Sequence, residues 1–401
     1  MAASEHVGLV LAGGGVRGAY EVGALSVLAP ALQARGERPD VIVGTSVGAL
    51  NGAYLAANAQ RPLGDAVQGV SELWRTMEYS DVLRPLLSAR ELARLVRYIA
   101  DVFGLPAPDV PALLDATPLA ATLERLISFE QLERNVSDGA IASAAVVATS
   151  YASSRSVVFH HGGPSPQLDD ARAIDYAATP LSAIHVRASA AIPALFEAVL
   201  VTEPRAAAGW YGDGGTRLNA PLKPALALGA DRVVVIGLNS SRTPTDLIQG
   251  RPDVIDGVAS LLQTVLADQL AEDVATLAQI NKTIAAATPR ANRSRVPINK
   301  RRIPYIFIAP QDRFTIGHLA LEVYRRRYKG VRGLLRDRNV ALLGRLMDGA
   351  RNPVHGELLS YLFFAREFID ELIELGRRDA ERWLAAPHED GPWQHGPMPS
   401  Y

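Results

Sequence analysis

Val41-Ile42-Val43-Gly44-Thr45-Ser46-Val47-Gly48 is an apolar run that turns at a serine and leads straight into helix-forming sequence. The pattern is G-x-S-x-G between a strand and a helix. In that setting a sharp turn lifts the serine Oγ above the edge of a sheet. Gly44 and Gly48 carry no side chain to collide as the chain doubles back. The helix after Ser46 aims the positive end of its dipole at any negative charge that develops there. A serine N-cap at an ordinary helix start has the same local sequence, so the surrounding segments decide.

Upstream, His6–Leu11 is an apolar run that ends in glycines, as a buried parallel strand does. Ala19–Arg35 carries Val22, Leu25, Leu28 and Leu32 at helical spacing. With Val41–Val43 as a second strand and Val47–Ala57 as a second helix, the order predicts an α/β fold with a parallel sheet covered by helices. Residues 71–133 read as helical. Their apolar face of Leu92, Leu95, Val96, Ile99, Val102 and Phe103 suits an amphipathic core helix or a lid over a site. Strands return at Ala144–Thr149 and Ser156–His160, as a hairpin, and at Arg232–Leu238 and Tyr305–Ala309. Val254–Ala286 reads as one long helix or two. From about 318 the chain is helical again, with Leu358, Leu362, Phe363, Ile369, Leu372, Ile373 and Leu375 as its stripe. The expected organisation is a main domain over 5–310 with 71–133 as a helical insertion. A helical extension over 311–385 packs on it, and a disordered tail rich in Pro, Gly and His covers 386–401.

Composition narrows the chemistry. Of the 401 residues 48% are hydrophobic, which supplies a large core, and the net charge of −1 argues against nucleic acid bound through overall charge. The absence of cysteine excludes thiolate catalysis and Cys-based metal sites. No apolar run approaches the ~18–20 residues that span a bilayer. Glu5 stands where a signal peptide needs basic residues, and Val7–Ala12 is too short for its apolar core. A cytoplasmic protein is expected, with any membrane contact peripheral. Two basic runs are available for such contact: Arg290, Arg293, Arg295, Lys300, Arg301 and Arg302, then Arg325, Arg326, Arg327 and Lys329. Solvated surface is the favoured reading of both.

Gly13-Gly14-Gly15-Val16-Arg17-Gly18 joins the first strand to the first helix and leaves backbone N–H groups unshielded beside a helix N-terminus. The anion it can hold is a bound phosphate or a reaction oxyanion. Taken alone, Gly13-x-Gly15-x-x-Gly18, with Glu37 or Asp40 further on, fits a dinucleotide fingerprint somewhat better. Arg17 is awkward there, because the helix must pack closely on the sheet, whereas a cation suits an oxyanion site. The search for a base to serve Ser46 is less direct. None of the eight histidines lies in a distinctive loop after a late strand. Tyr211-Gly212-Asp213-Gly214-Gly215 reads locally as a β-turn. Its aspartate acts as a base only if burial raises its proton affinity and the serine is within reach.

Taken together, these blocks resemble the patatin-like phospholipase family. Its G-G-G-x-R/K-G block resembles Gly13–Gly18, and its G-T-S-x-G block resembles Gly44–Gly48. Its A-S-x-A-x-P-x-x-F block is similar to Ala188–Phe196, and its D-G-G then N-x-P block to Asp213–Gly215 with Asn219-Ala220-Pro221. The resemblance covers about residues 5–240 and echoes at the strand near 305. It implies a three-layer α/β/α sandwich with a mainly parallel central sheet. It also implies a Ser46–Asp213 dyad without histidine, and an oxyanion hole over Gly13, Gly14, Gly15, Val16, Arg17 and Gly18, in which the Gly14, Gly15 and Val16 amides hold the oxyanion with help from Arg17. Gly44 and Gly48 then flank the elbow. The implied activity is hydrolysis of acyl esters in lipids or phospholipids, with no metal or organic cofactor. Two rivals remain: an NAD(P)-binding oxidoreductase built on the Gly13–Gly18 loop, and a catalytically silent scaffold on the same fold.

Overall fold

Five neighbouring parallel strands form the core of the sheet in the computed structural model, which describes residues 5–85, 112–238, 270–287, 301–312, 314–330, 333, 336–348 and 354–398. They are β1 (Val7–Leu11), β2 (Pro39–Thr45), β3 (Ser143–Ser150), β8 (Arg232–Ile236) and β9 (Tyr305–Ile308). The remaining strands are β4 (Ser156–Gly162), β5 (Ile174–Ala178), β6 (Val199–Val201) and β7 (Gly209–Asp213). The order across the sheet is β5-β4-β3-β2-β1-β8-β9, with β1 near the centre. Every residue of β1 and β9 is buried, and β2 and β8 are each buried at all but one position. Successive strand residues point to opposite faces, so both faces are covered by helices, and three layers result. The expected fold class is the observed one.

The first four elements follow the reading of the sequence closely. The helix α1 runs over Gly18–Gln33 and α2 over Val47–Ala57. The hairpin between β3 and β4 pairs Ser143 with Gly162 through to Thr149 with Ser156. Among the described residues in and around 71–133, helices cover Leu63–Thr76, Tyr79–Val82, Thr117–Leu126 and Phe129–Ser137. The apolar face from Leu92 to Phe103, and the first part of the helix expected over 254–286, lie outside the described residues. The short strands β5, β6 and β7 had no clear signal. One is half-exposed, one has three residues, and one is framed by glycine.

The C-terminal helix Arg366–Ala385 lies along α1. A Cβ on Gly376 would stand 2.0 Å from the Tyr20 carbonyl oxygen, so the two backbones touch there. Beneath that contact the buried Tyr20 hydroxyl donates to Asp379 at 2.8 Å. Helix α1 is therefore enclosed by the sheet on one side and this helix on the other, which explains why it is apolar on nearly all sides.

The tail corrects an expectation. Residues 386–398 are ordered on the open edge of the sheet rather than disordered. Tyr305 of β9 exchanges backbone hydrogen bonds with Gln394 at 2.8 and 2.9 Å. Trp393 is fully buried, and its indole N–H donates to Glu37 at 2.8 Å. Polar composition suggested disorder, but one buried tryptophan with a hydrogen-bond partner anchors the segment. Replacing Trp393 with alanine should cost about 3–5 kcal/mol of stability. A thermal melt that does not move would contradict this anchoring.

Candidate functional site

Ser46 sits between β2 and α2 with φ 53° and ψ −119°, a conformation that non-glycine residues rarely adopt. The turn is tight because two glycines permit it. A Cβ on Gly44 would lie 2.1 Å from the Gly48 oxygen, and one on Gly48 would lie 2.4 Å from the Leu11 oxygen. The strained backbone is held by a residue that sequence reasoning did not single out. The Ser46 N–H donates to the Ser189 hydroxyl at 2.8 Å, and that hydroxyl donates to the Val147 carbonyl at 2.5 Å. Ser189 lies in the Ala188–Phe196 block, but both of its partners are backbone groups distant in sequence.

The sheet itself delivers Asp213. Strand β2 pairs with β3 as far as Thr45 opposite Val147, and then turns away at Ser46. The next position along β3, Ala148, is paired with Asp213 of β7. Because β4 occupies the other edge of β3 there, β7 takes the place that β2 vacates. The Ser46 hydroxyl accordingly donates to Asp213 Oδ2 at 2.7 Å. The second carboxylate oxygen accepts from the Gly215 amide at 2.7 Å. Thr149 and Thr216 fix the Asp213 carbonyl at 3.0 and 2.8 Å. Asp213 is 1% exposed, and this burial pushes its carboxyl up to about 7, although the hydrogen bonds from Ser46 and Gly215 pull the other way. Among the described residues no histidine hydrogen-bonds to either side chain.

The glycine loop is more selective than its sequence. The Gly13 amide is shared between the Asn219 carbonyl and side-chain oxygens at 3.2 and 3.1 Å. The Arg17 amide donates to Gly14 at 3.3 Å, and the Gly18 amide turns to Gly15 and Val16. The amides of Gly14, Gly15 and Val16 have no partner among the described residues. The Arg17 guanidinium points to a C-terminal helix, where it meets Glu357 and Ser360. Gly13, Arg17 and Gly18, by contrast, spend their amides within the protein.

Ser46 opens on a small cleft that is partly open to solvent. Its walls are almost wholly apolar, with Val47, Leu50, Trp74, Met77, Leu123, Ile192 and Phe196 among them. The dinucleotide rival loses its ribose-binding carboxylate. Asp40 lies at the start of β2, beside Val7, at the opposite end of the sheet from the loop, and its carboxylate binds His6 and the Val7 amide. Glu37 is committed to Arg232 and Trp393. The basic runs are partly neutralised from within: Arg301 pairs with Asp231, Arg302 with Glu389 and Arg326 with Glu371. Arg290, Arg293, Arg295 and Lys300 lie outside the described residues. No helix among the described residues is long and apolar enough to cross a membrane.

Comparison with known proteins adds to this geometry. The profile of a family described as patatin-like phospholipase matches residues 9–226. No curated protein matches the chain. Among solved structures, VipD from Legionella pneumophila is similar at 14% identity and a TM-score of 0.33, over 77% of this chain and 62% of that one. Human GIVD cytosolic phospholipase A2, solved with methyl gamma-linolenyl fluorophosphonate, is similar at 13% identity and a TM-score of 0.33, over 94% of this chain and 59% of that one. The chain thus spans about three-fifths of each of these proteins.

The hydrogen bonds around Ser189 give a direct expectation. Ser189→Ala leaves the Ser46 amide without its partner and relaxes the elbow. Labelling of Ser46 by an organophosphonate should slow by about tenfold or more, since a lost buried hydrogen bond is worth about 1–3 kcal/mol. An unchanged labelling rate would show that Ser189 does not hold the turn.

Proposed function

The chain belongs to the patatin-like phospholipase family, and from that premise we propose that it is a serine lipid acyl hydrolase, with Ser46 as nucleophile and Asp213 as its base. The observation that carries the reading is the 2.7 Å hydrogen bond from Ser46 to a buried Asp213 at the mouth of an apolar cleft. Ser46 Oγ attacks the ester carbonyl while its proton passes to Asp213 Oδ2. The carbonyl oxygen becomes an oxyanion, which the Gly14, Gly15 and Val16 amides receive, with the dipole of α2 behind them. Asp213 returns the proton to the departing alcohol. Water then attacks the acyl-enzyme with Asp213 again as base, and the fatty acid leaves. The protein supplies all of these groups from its own chain.

The apolar cleft suits a fatty-acyl tail, which gains about 0.8 kcal/mol per buried CH₂. Contact with the lipid surface is peripheral in this reading. The described parts of the basic runs contribute little to it, because their charges are partly engaged in ion pairs within the molecule.

The test is hydrolysis of p-nitrophenyl esters by the wild type, Ser46→Ala and Asp213→Asn. Both variants should lose about three orders of magnitude or more in kcat. Activity of Asp213→Asn near the wild-type level would return the base to another residue. Wild-type inactivity with intact folding would favour the silent scaffold. The pH dependence is a second expectation. Asp213 accepts a proton only when ionised, and its carboxyl is pushed up to about 7. Activity should therefore be low in acid, rise as the pH passes through about 7, and level off above it. A profile already flat from pH 5 upward would contradict Asp213 as the base.

A further inference from the structure

Three of the side chains that line the cleft, Tyr361, Leu362 and Phe364, lie well beyond residues 9–226, which carry the family match. They belong to the helix Val354–Leu362 and the turn that follows it. This helix is fastened to the glycine loop by a buried ion pair. Arg17 and Glu357 are 1% and 3% exposed, and the guanidinium donates to Glu357 Oε2 at 2.8 Å. Arg17 also donates to the Glu357 carbonyl at 2.7 Å and to the Ser360 hydroxyl at 2.8 Å, and it stacks over the Tyr361 ring at 4.1 Å. The other Glu357 oxygen accepts from the Gly317 amide at 2.9 Å, so both carboxylate oxygens are bonded.

A second contact joins the same two elements. Gly15 has φ +60°, and a Cβ there would lie 2.2 Å from the Tyr361 carbonyl oxygen. The loop that offers amides to an anion and the helix that walls the cleft are therefore fitted to each other at atomic contact. A buried ion pair satisfied on both sides is costly to break on one side, because the remaining charge stays buried. The wall is accordingly held in one place.

We infer that residues 354–364 gauge the acyl chain, and that Arg17 is a positioning residue that seats this gauge against the glycine loop. The inference rests on the proposed hydrolase function. It names the substrate class more closely: an ester whose long acyl tail packs between the Tyr361–Phe364 segment and the helices that carry Trp74 and Leu123. Arg17 then acts through the wall rather than on the oxyanion.

The experiment compares kcat/KM for p-nitrophenyl palmitate and p-nitrophenyl butyrate in five proteins: wild type, Leu362→Trp, Arg17→Met, Glu357→Gln and the Arg17→Met/Glu357→Gln double variant. Leu362 is partly exposed, so there is room for a larger side chain there. Leu362→Trp narrows the cleft and should lower the palmitate-to-butyrate ratio about tenfold, the scale at which a hydrophobic pocket discriminates chain size. Arg17→Met and Glu357→Gln should lower the same ratio by similar factors, and the double variant should add little to either alone. Melting curves identify any variant that fails to fold, and Leu362→Trp decides the matter if the buried-pair variants do. An unchanged ratio in Leu362→Trp, beside an active wild type, overturns the gauge. Equal losses on both esters in Arg17→Met, with Glu357→Gln unaffected, overturn the positioning role and return Arg17 to the oxyanion. A folded wild type that hydrolyses neither ester defeats the hydrolase reading itself, and the gauge with it.

Discussion

Thr45 is paired with Val147, and Asp213 with Ala148, one residue further along the same edge of β3. This handover from β2 to β7 is the constraint on which the site depends. At the point where β2 leaves the sheet, its next residue, Ser46, is thrown into a positive-φ turn. At the same point β7 ends, and its last residue presents a carboxylate to the serine. No loop has to find its way to the nucleophile. The register of one strand sets the 2.7 Å contact, and side-chain alternation makes that register costly to shift.

Two unfavourable features are concentrated here, a strained backbone at Ser46 and a nearly inaccessible carboxylate at Asp213. Each is opposed by fixed polar partners. Ser189 ties the Ser46 amide to the Val147 carbonyl, and Gly215, Thr149 and Thr216 hold Asp213. Burial that raises the proton affinity of a carboxylate is a cost to folding, yet it is what gives an aspartate basicity near neutrality. Further out, the Arg17–Glu357 pair brings a helix from the C-terminal region onto the glycine loop. The environment of the site is thus assembled from both ends of the chain.

Much of this was legible in the sequence where the determinants are local. Strand β1, the glycine loop, β2 and the helix Val47–Ala57 declare themselves through apolar runs, glycine spacing and helical periodicity. The motif blocks around Ser46 and Asp213 are short and continuous. What escaped is non-local. Ser189 matters because of backbone groups 143 and 42 residues away. The side chain of Arg17 reads as an oxyanion cation until its partner, 340 residues later, is known. Gly13 satisfies a glycine pattern, but Asn219 takes its amide. Strand β6 is too short for periodicity to reveal, β7 is framed by glycine, and the tail was misread because a polar composition hid one anchoring residue, Trp393.

The central claim is that the acyl group passes through Ser46 with Asp213 as the base. Rapid quenching of a single turnover with a long-chain p-nitrophenyl ester, followed by peptide mass spectrometry, tests it most directly. The account predicts one acyl group on the peptide that contains Ser46 in the wild type above pH 7, and none in Asp213→Asn on the same time scale. Hydrolysis that proceeds with no acyl group on Ser46, or with the acyl group on another residue, would contradict it.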